Sequence, residues 1–409
     1  MEPMLRFKAD DGSDFPDWEE MMLGDVGSVA MCKRVFKEQT HEVGDVPFFK
    51  IGTFGDVPDA YISQSLFDEL KSKYAYPKVG TILLSASGTI GRQVEYNGED
   101  AYYQDSNIVW LEHDDTVLDS YLKQFYSVVK WQGLEGSTIK RLYNKTILDT
   151  PFYRPSLPEQ RKIADLLSAV DDVIAAQEAE VAAWEKRKKG VMQKLFSQEV
   201  RFKADDGSDF PDWEEKTLGD LGYFIRGLSY NKTQVLDDGS DASGTAVLRS
   251  NNINSDGTLD YRDDVQLVSK EPSSEQQLCE NDVVICMANG SNRLVGKAAR
   301  YDGGYDARRI TVGAFCGIFR TDSPLVPWWF QSDDYKSFLH LSKQGGDGAL
   351  ANLKGKDIEA ISLLFPSSST EQREIADCLA SLDDVIAKAK DELDAWRELK
   401  KGLLQQMFV

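Results

Sequence analysis

Residues 159–190 read EQRKIADLLSAVDDVIAAQEAEVAAWEKRKKG, and residues 371–402 read EQREIADCLASLDDVIAKAKDELDAWRELKKG. Two stretches this alike in one chain are an internal duplication, and their apolar spacing sets the architecture. In the first copy Ile163, Val170, Gln177, Trp184 and Val191 recur every seven residues. Leu167, Ile174, Val181, Lys188 and Leu195 make a companion row offset by four. The second copy repeats both rows as Ile375, Leu382, Ala389, Trp396 and Leu403, and Leu379, Ile386, Leu393, Lys400 and Met407. Such rows form the a/d seam of a helix that must find an apolar partner. The cheapest partner is the other copy, giving an intramolecular two-helix coiled coil; the spacing alone leaves parallel and antiparallel pairing open. Lys188 and Lys400 interrupt the seam at the same place in both copies. Pro158 and Glu159 suit a first helical turn, where proline loses no hydrogen bond and a carboxylate meets the positive helix end. Trp184 and Trp396 read as seam packing.

A second duplication precedes each module. Arg6 to Glu20 and Arg201 to Glu215 are the same fifteen residues, RFKADDGSDFPDWEE. The offset between copies is 195 here and 212 at the helices, so the second module is 17 residues longer. The repeats are nearly constant while the modules between them differ greatly. This contrast marks a shared scaffold carrying two different heads. The linear boundaries are a first module over 1–155, a helix over 156–200, a second module over 201–366 and a helix over 367–409.

The modules themselves are expected to be α+β. Strand-like runs such as Thr81–Leu84 and Asp282–Ile285 alternate with Gly and Asn clusters. A helical stretch comes late in each, Leu118 to Lys130 and Pro327 to Ser342. The two share an order of features. Leu23-Gly24-Asp25 and Leu218-Gly219-Asp220 open them. Apolar runs ending in Lys50, and in Arg249 followed by Asn251 and Asn252, come next. Polar glycine loops then carry Ser87 and Arg92 in the first module, and Asn289, Ser291, Asn292, Arg293 and Lys297 in the second. Basic residues follow later: Lys140 and Arg141 in the first, Arg308 and Arg309 in the second. Arg, Lys, Asn and Ser in exposed loops are the residue types that hydrogen-bond base edges and phosphates. Asn at a strand end equally caps turns.

Other chemistry finds little material. The stretch Gly290 to Lys297 differs in spacing from a phosphate loop and is followed by Ala298, not Ser or Thr. Pro211, Asp212, Glu214, Glu215 and Lys216 resemble a nuclease triad, but they belong to the duplicated acidic segment and read as a solvated turn. With three histidines and no Cys-x-x-Cys pair, neither a metal site nor a catalytic triad is expected. Five cysteines suit free thiols in a reducing cytoplasm. No run of roughly 18 apolar residues predicts a membrane span, and the N-terminus lacks a secretory pattern. The net charge of −21 argues against nucleic acid for the molecule as a whole, although a local basic face is compatible with acidic flanks.

Over nearly its whole length the chain resembles the specificity (S) subunit of type I restriction-modification systems. The resemblance rests on the Glu-Gln-Arg-x-Ile-Ala helices, on Leu-Gly-Asp after the tryptophan and on a glycine loop in each module. It implies two target-recognition domains joined by an antiparallel, pseudo-twofold pair of helices. Each domain would read one half of a split double-stranded DNA target. Two DNA methyltransferase (modification) subunits and restriction/translocase subunits would dock. Those partners would use S-adenosylmethionine, ATP and Mg2+; this chain would use no cofactor and catalyse nothing. A helix of about 40 residues spans roughly 60 Å, more than the 34 Å or so of one DNA turn, so an unread spacer between half-sites is expected. The competing reading is a coiled-coil adaptor without DNA specificity.

Overall fold

The computed structural model describes residues 3–131, 141–236, 244–261, 264–291, 293–304, 309–344 and 352–408. Two helices of 40 residues each, Leu157–Phe196 and Ser369–Phe408, carry the duplicated stretches. The chain divides into two compact units that cut across the linear order of module and helix. One comprises Met1–Ala179 with Asp391–Val409, the other Glu180–Lys390. Each unit therefore holds one module, about half of one long helix, and the complementary part of the other.

Inside each unit the helices run antiparallel. In the first, Lys400 reaches Asp171 at 2.5 Å and Arg397 reaches Glu178 at 2.6 Å. In the second, Lys188 reaches Asp383 at 2.6 Å and Lys390 reaches Glu185 at 2.8 Å. The partners are equivalent residues with their repeats exchanged. The seam lysines are thus accounted for: each meets an aspartate of the opposite helix, and the pair sets register more than it adds stability. Every apolar seam residue is at least partly buried, including Ile163, Leu167, Val170, Val181 and Leu195 of the first helix and Ile375, Leu379, Ile386, Leu393 and Met407 of the second. Ile174, Trp184, Val191, Leu382, Trp396 and Leu403 are half-buried.

The first module contains β1 (Glu19–Met22), β2 (Gly27–Ala30), β3 (Val46–Phe49), β4 (Tyr61–Ile62), β5 (Ile82–Ser85), β6 (Gln93–Glu95), β7 (Tyr102–Tyr103), β8 (Ile108–His113) and β9 (Pro151–Arg154). The second contains β10 (Glu214–Thr217), β11 (Tyr223–Arg226), β12 (Thr245–Leu248), β13 (Gln266–Val268), β14 (Val283–Cys286), β15 (Ala298–Arg300), β16 (Ile310–Val312), β17 (Cys316–Arg320) and β18 (Ser362–Phe365). Despite their divergence the modules share one topology. Each has a four-stranded sheet, β2-β8-β5-β6 or β11-β17-β14-β15. Each has a three-stranded sheet, β4-β3-β7 or β13-β12-β16, with one parallel pair. The first and last strands, β1 with β9 and β10 with β18, form an antiparallel clasp at the foot of the module.

The apolar runs become strands because both faces of the four-stranded sheet are covered. Side chains alternate across a strand. Ile82 and Leu84 therefore enter the core shared with the long helices, while Leu83 enters the core under the three-stranded sheet. Val283 and Ile285 against Val284 and Cys286 repeat the pattern. Leu-Gly-Asp forms a single helical turn in both modules. Its aspartate accepts from the backbone N–H of Met22 or Thr217 at 2.8 Å. Its glycine is needed for close approach: a Cβ on Gly24 would lie 3.1 Å from the carbonyl oxygen of Leu148, and one on Gly219 3.2 Å from that of Glu359. The late helix of the first module spans Asp119–Val128. In the second module the expected single helix is two, Val326–Trp329 and Asp333–Gln344. The break falls where Ser332 Oγ accepts from the N–H of Tyr335 and starts the new helix.

The fifteen-residue duplication has a structural task that its acidic composition hides. Glu159 is fully buried, and its carboxylate receives Arg6 Nε and Nη2 at 3.2 and 3.0 Å and Trp18 Nε1 at 3.0 Å. Glu371 is equally buried and receives Arg201 Nε and Nη2, both at 3.0 Å. The bond to Glu371 holds the Arg201 guanidinium's proton more tightly than usual. The glutamate's main role is thus to clamp the segment that opens the module, beyond any effect at the helix end. The adjacent glutamine ties down the module: Gln160 donates to the carbonyls of Thr116 and Pro155 and accepts from the N–H of Leu118, while Gln372 donates to Pro366 O and accepts from Ser323 Oγ.

His113 adds a pH-dependent contribution to the stability of the first unit. Its Nε2 lies 3.2 Å from Asp119 Oδ1 and its Nδ1 2.8 Å from the carbonyl of Asp114. The bond to Asp119 outweighs burial and raises the imidazole above its ordinary value. A raised folded value stabilises below the unfolded value of about 6.5, and that contribution is lost as pH rises through the folded one. The chain is therefore expected to melt at higher temperature at pH 5.5 than at pH 8 by a margin that His113→Gln reduces. An unchanged margin in scanning calorimetry would refute this.

Candidate nucleic-acid interface

In each module the ends of the parallel strands and the glycine loop meet at one edge. In the first, the N–H of Gln104 donates to Phe49 O, and its side chain accepts from the N–H of Ile51 at 3.0 Å. This joins the turn after β3 to the turn after β7. Ser87 Oγ lies 3.0 Å from Asn107 Oδ1, Arg141 Nη2 donates to Ser106 O at 2.6 Å, and Arg92 Nη1 donates to Phe54 O at 2.7 Å. Lys50, Ser87, Arg92 and Arg141 thus share an edge. Lys50 is paired with Asp59 at 2.8 Å. Arg34, absent from the expectations above, joins the edge by bridging to Asp105 at 2.9 Å; only the Lys33-Arg34 pair hinted at it.

The second module builds the same edge from different residues. Gly313 N–H donates to Leu248 O, and the N–H groups of Met287 and Ala288 donate to Phe315 O. Asn289 Nδ2 donates to Ser250 Oγ at 2.8 Å, and Asn289 Oδ1 accepts from the N–H of Ser291 at 2.9 Å. Arg249 Nη2 donates to Asp264 O at 2.9 Å, and Asn251 Nδ2 donates to Asp264 Oδ2 at 3.0 Å. Arg249, Asn251, Asn289 and Ser291 are therefore grouped, the first two pre-ordered by Asp264 and Asn289 by Ser250. Local carboxylates pairing the cations also reconcile this edge with the acidic composition.

Other candidates are not brought there. Asn252 is buried, its Oδ1 accepting from Arg249 N–H and its Nδ2 donating to Asp260 O. It caps the turn, and an amide so committed cannot read a base. Arg309 precedes β16, which runs parallel to β12, so it lies at the opposite strand end from Arg249, where it bridges to Glu271. Arg293 and Lys297 instead line a cavity of about 800 Å3 within the second unit, together with Lys188, Lys189 and Lys390. The loop turns there through Gly296, whose φ is +85° and where a Cβ would lie 2.3 Å from Leu339. Lys140, Asn292 and Arg308 lie outside the described residues. Among the described residues no cluster of His, Cys, Asp and Glu could hold a metal ion, and no helix is long and apolar enough to cross a membrane.

Comparison with known proteins agrees with this architecture. Residues 16–183 match the family model described as a type I restriction modification DNA specificity domain. A putative type I restriction enzyme specificity subunit of Haemophilus influenzae is 58% identical over 146 residues, covering 36% of this chain and 38% of that relative. The chain thus spans well under half the length of this relative. The putative type I restriction enzyme MjaX specificity subunit of Methanocaldococcus jannaschii is 24% identical over 98% of this chain and 95% of its own length. The crystal structure of a type I restriction-modification system S subunit from M. genitalium matches all of this chain and 99% of that one, with a TM-score of 0.59 at 18% identity, a likeness of fold. Residues 16–183 thus match a type I restriction modification DNA specificity domain, and along its length the chain is similar to specificity subunits of such systems.

Proposed function

We propose that this chain reads a bipartite double-stranded DNA target, one half-site per module. In this reading its paired long helices dock two methyltransferase subunits and the restriction/translocase subunits. The chain itself is non-catalytic, works in the cytoplasm and needs no cofactor. S-adenosylmethionine, ATP and Mg2+ serve the partners. The observation that carries the proposal is the contrast within the modules. Their topology is the same and each is clamped by an arginine on a buried helix glutamate, while the edge residues differ: Lys50, Arg92 and Arg141 in one, Arg249, Asn251 and Asn289 in the other. Two copies of one activity would keep those residues alike. Two different half-sites require them to differ.

Mapping of methylated bases in cells with and without this gene, alongside its methyltransferase partner, tests the reading. A split methylated motif should disappear with the gene; an unchanged methylome would sink it. The adaptor reading predicts binding without sequence preference. In the assembled methyltransferase, Arg249→Ala with Asn251→Ala is expected to relax one half of the motif and leave the other intact. The loss in discrimination should be about 1–3 kcal/mol per base contact, read as a competition ratio between cognate and single-mismatch duplexes.

A further inference from the structure

Phe315 is an apolar side chain left 72% exposed in the middle of the second module's polar edge. Isolated exposed apolar residues are ordinary on protein surfaces, so its setting decides its meaning. The backbone beneath it is held from several sides. Its carbonyl accepts from Met287 N–H at 2.9 Å and Ala288 N–H at 3.1 Å, Cys316 N–H closes the turn on Gly313 O at 2.8 Å, and Gly313 N–H donates to Leu248 O at 2.8 Å. The carbonyl of Cys316 accepts from Gly227 N–H at 3.2 Å. Burial of the flanking Val312 and Cys316 fixes the turn further. The ring therefore stands on a rigid base, and ordering it on binding costs little backbone entropy. The turn adjoins Arg249 through Gly313 and adjoins Asn289 through Ala288. A flat apolar surface is thus framed by side chains able to hydrogen-bond base edges.

In the first module the corresponding turn is Asp105–Asn107, where the carbonyl of Asn107 accepts from Ala86 N–H in the same way. It carries no aromatic ring, and Asn107 is engaged with Ser87. We infer that Phe315 is a specificity-determining contact of the second module, its ring stacking on or wedging beside a nucleobase of the half-site read there, and that the first module lacks an equivalent at this turn. An aromatic ring offers a π-face to a base, and a ring inserted at a base step favours flexible pyrimidine–purine steps. The inference rests on the reading of the second module as a DNA-binding head.

The test uses the full chain assembled with its methyltransferase subunit. Duplexes carry 2-aminopurine at successive positions of each half-site. In the wild-type complex the fluorescence is expected to change at one base step of a single half-site. Phe315→Ala should abolish that change and weaken cognate binding by about 5- to 150-fold, the loss of one base–aromatic stack. Binding to unrelated duplex should stay within about twofold, and Phe315→Trp should restore the signal. Because the side chain is exposed, Phe315→Ala should melt as the wild type does. A wild-type complex that discriminates its target while Phe315→Ala binds it equally well, with the fluorescence change retained, overturns the inference alone. A wild-type complex without any sequence preference overturns the reading of the head and this inference with it.

Discussion

Replacing Arg201 by alanine is expected to destabilise the second unit by about 3 kcal/mol, the low end of the cost of breaking a buried ion pair. Glu371 has no exposed side-chain surface, whereas the Arg201 side chain keeps 23% of its own. Removing the arginine leaves a carboxylate in the core with neither of its two charged donors. The carbonyls of Phe210 and Pro211 also lose the donor that shapes the acidic turn. Water can enter along the exposed side of Arg201, which keeps the loss below the upper limit. The same change at Arg6 should cost less, because Trp18 Nε1 remains on Glu159 at 3.0 Å. The equivalent Trp213 Nε1 is buried without a partner. Calorimetry of Arg6→Ala and Arg201→Ala, with limited proteolysis at residues 201–217, checks both the size and the order of the effects. Equal melting of Arg201→Ala and wild type would show that the clamp contributes nothing. Exchanging both partners, as in Arg201→Met with Glu371→Gln, should recover much of the loss, since no charge is then left buried.

The second large effect is expected at Trp328, the largest fully buried side chain among the described residues. It packs in the core that joins the second module to both long helices, beside Met192, Leu195 and Leu379. Lys188 Nζ lies 5.0 Å and the Arg300 guanidinium 4.8 Å from its ring centroid. Trp328→Ala opens a cavity costing about 3–5 kcal/mol, with about 0.5–2 kcal/mol more for each cation lost from the ring face. For a unit of this size that corresponds to a fall in melting temperature of roughly 10–35 °C. Trp328→Phe keeps a ring face and should lie between. Lys188 retains Asp383 and Gln331 as partners in either variant, so the helix pairing should survive while the module loosens. Hydrogen exchange would then show faster opening in β14 and β17 than along the helix pair; uniform opening of both would contradict this account.

The physical basis of what could be read in advance is periodicity. Seven-residue rows specify a helix wherever a partner exists, and Ile163 to Leu195 and Ile375 to Met407 lie on two such helices. Short apolar runs become strands when both sides are covered, as at Ile82–Ser85 and Val283–Cys286. Residue types at the candidate edge were legible too, because Lys50, Arg92, Arg249 and Asn289 follow apolar runs in the same order in both modules. Their grouping was not. Asn251 and Asn252 are neighbours in sequence, yet one is exposed beside Asp264 and the other is buried as a turn cap. Phe315 gave no local sign at all, since an apolar residue between two strands is ordinarily core.

The duplication by itself determined that this protein has one scaffold twice and two unlike modules, because identity over fifteen residues and a heptad seam repeated in both copies are properties of the chain alone. Tertiary structure decided the direction of helix pairing, through Lys188 with Asp383 and Lys400 with Asp171. It also decided the clamp of Arg6 on Glu159 and of Arg201 on Glu371, and which polar side chains reach an edge. The pairing and the clamps depend on contacts between residues more than 150 positions apart, and the edges on contacts between separate loops, where Coulomb attraction, burial and hydrogen-bond geometry act across space and leave no local periodicity to read.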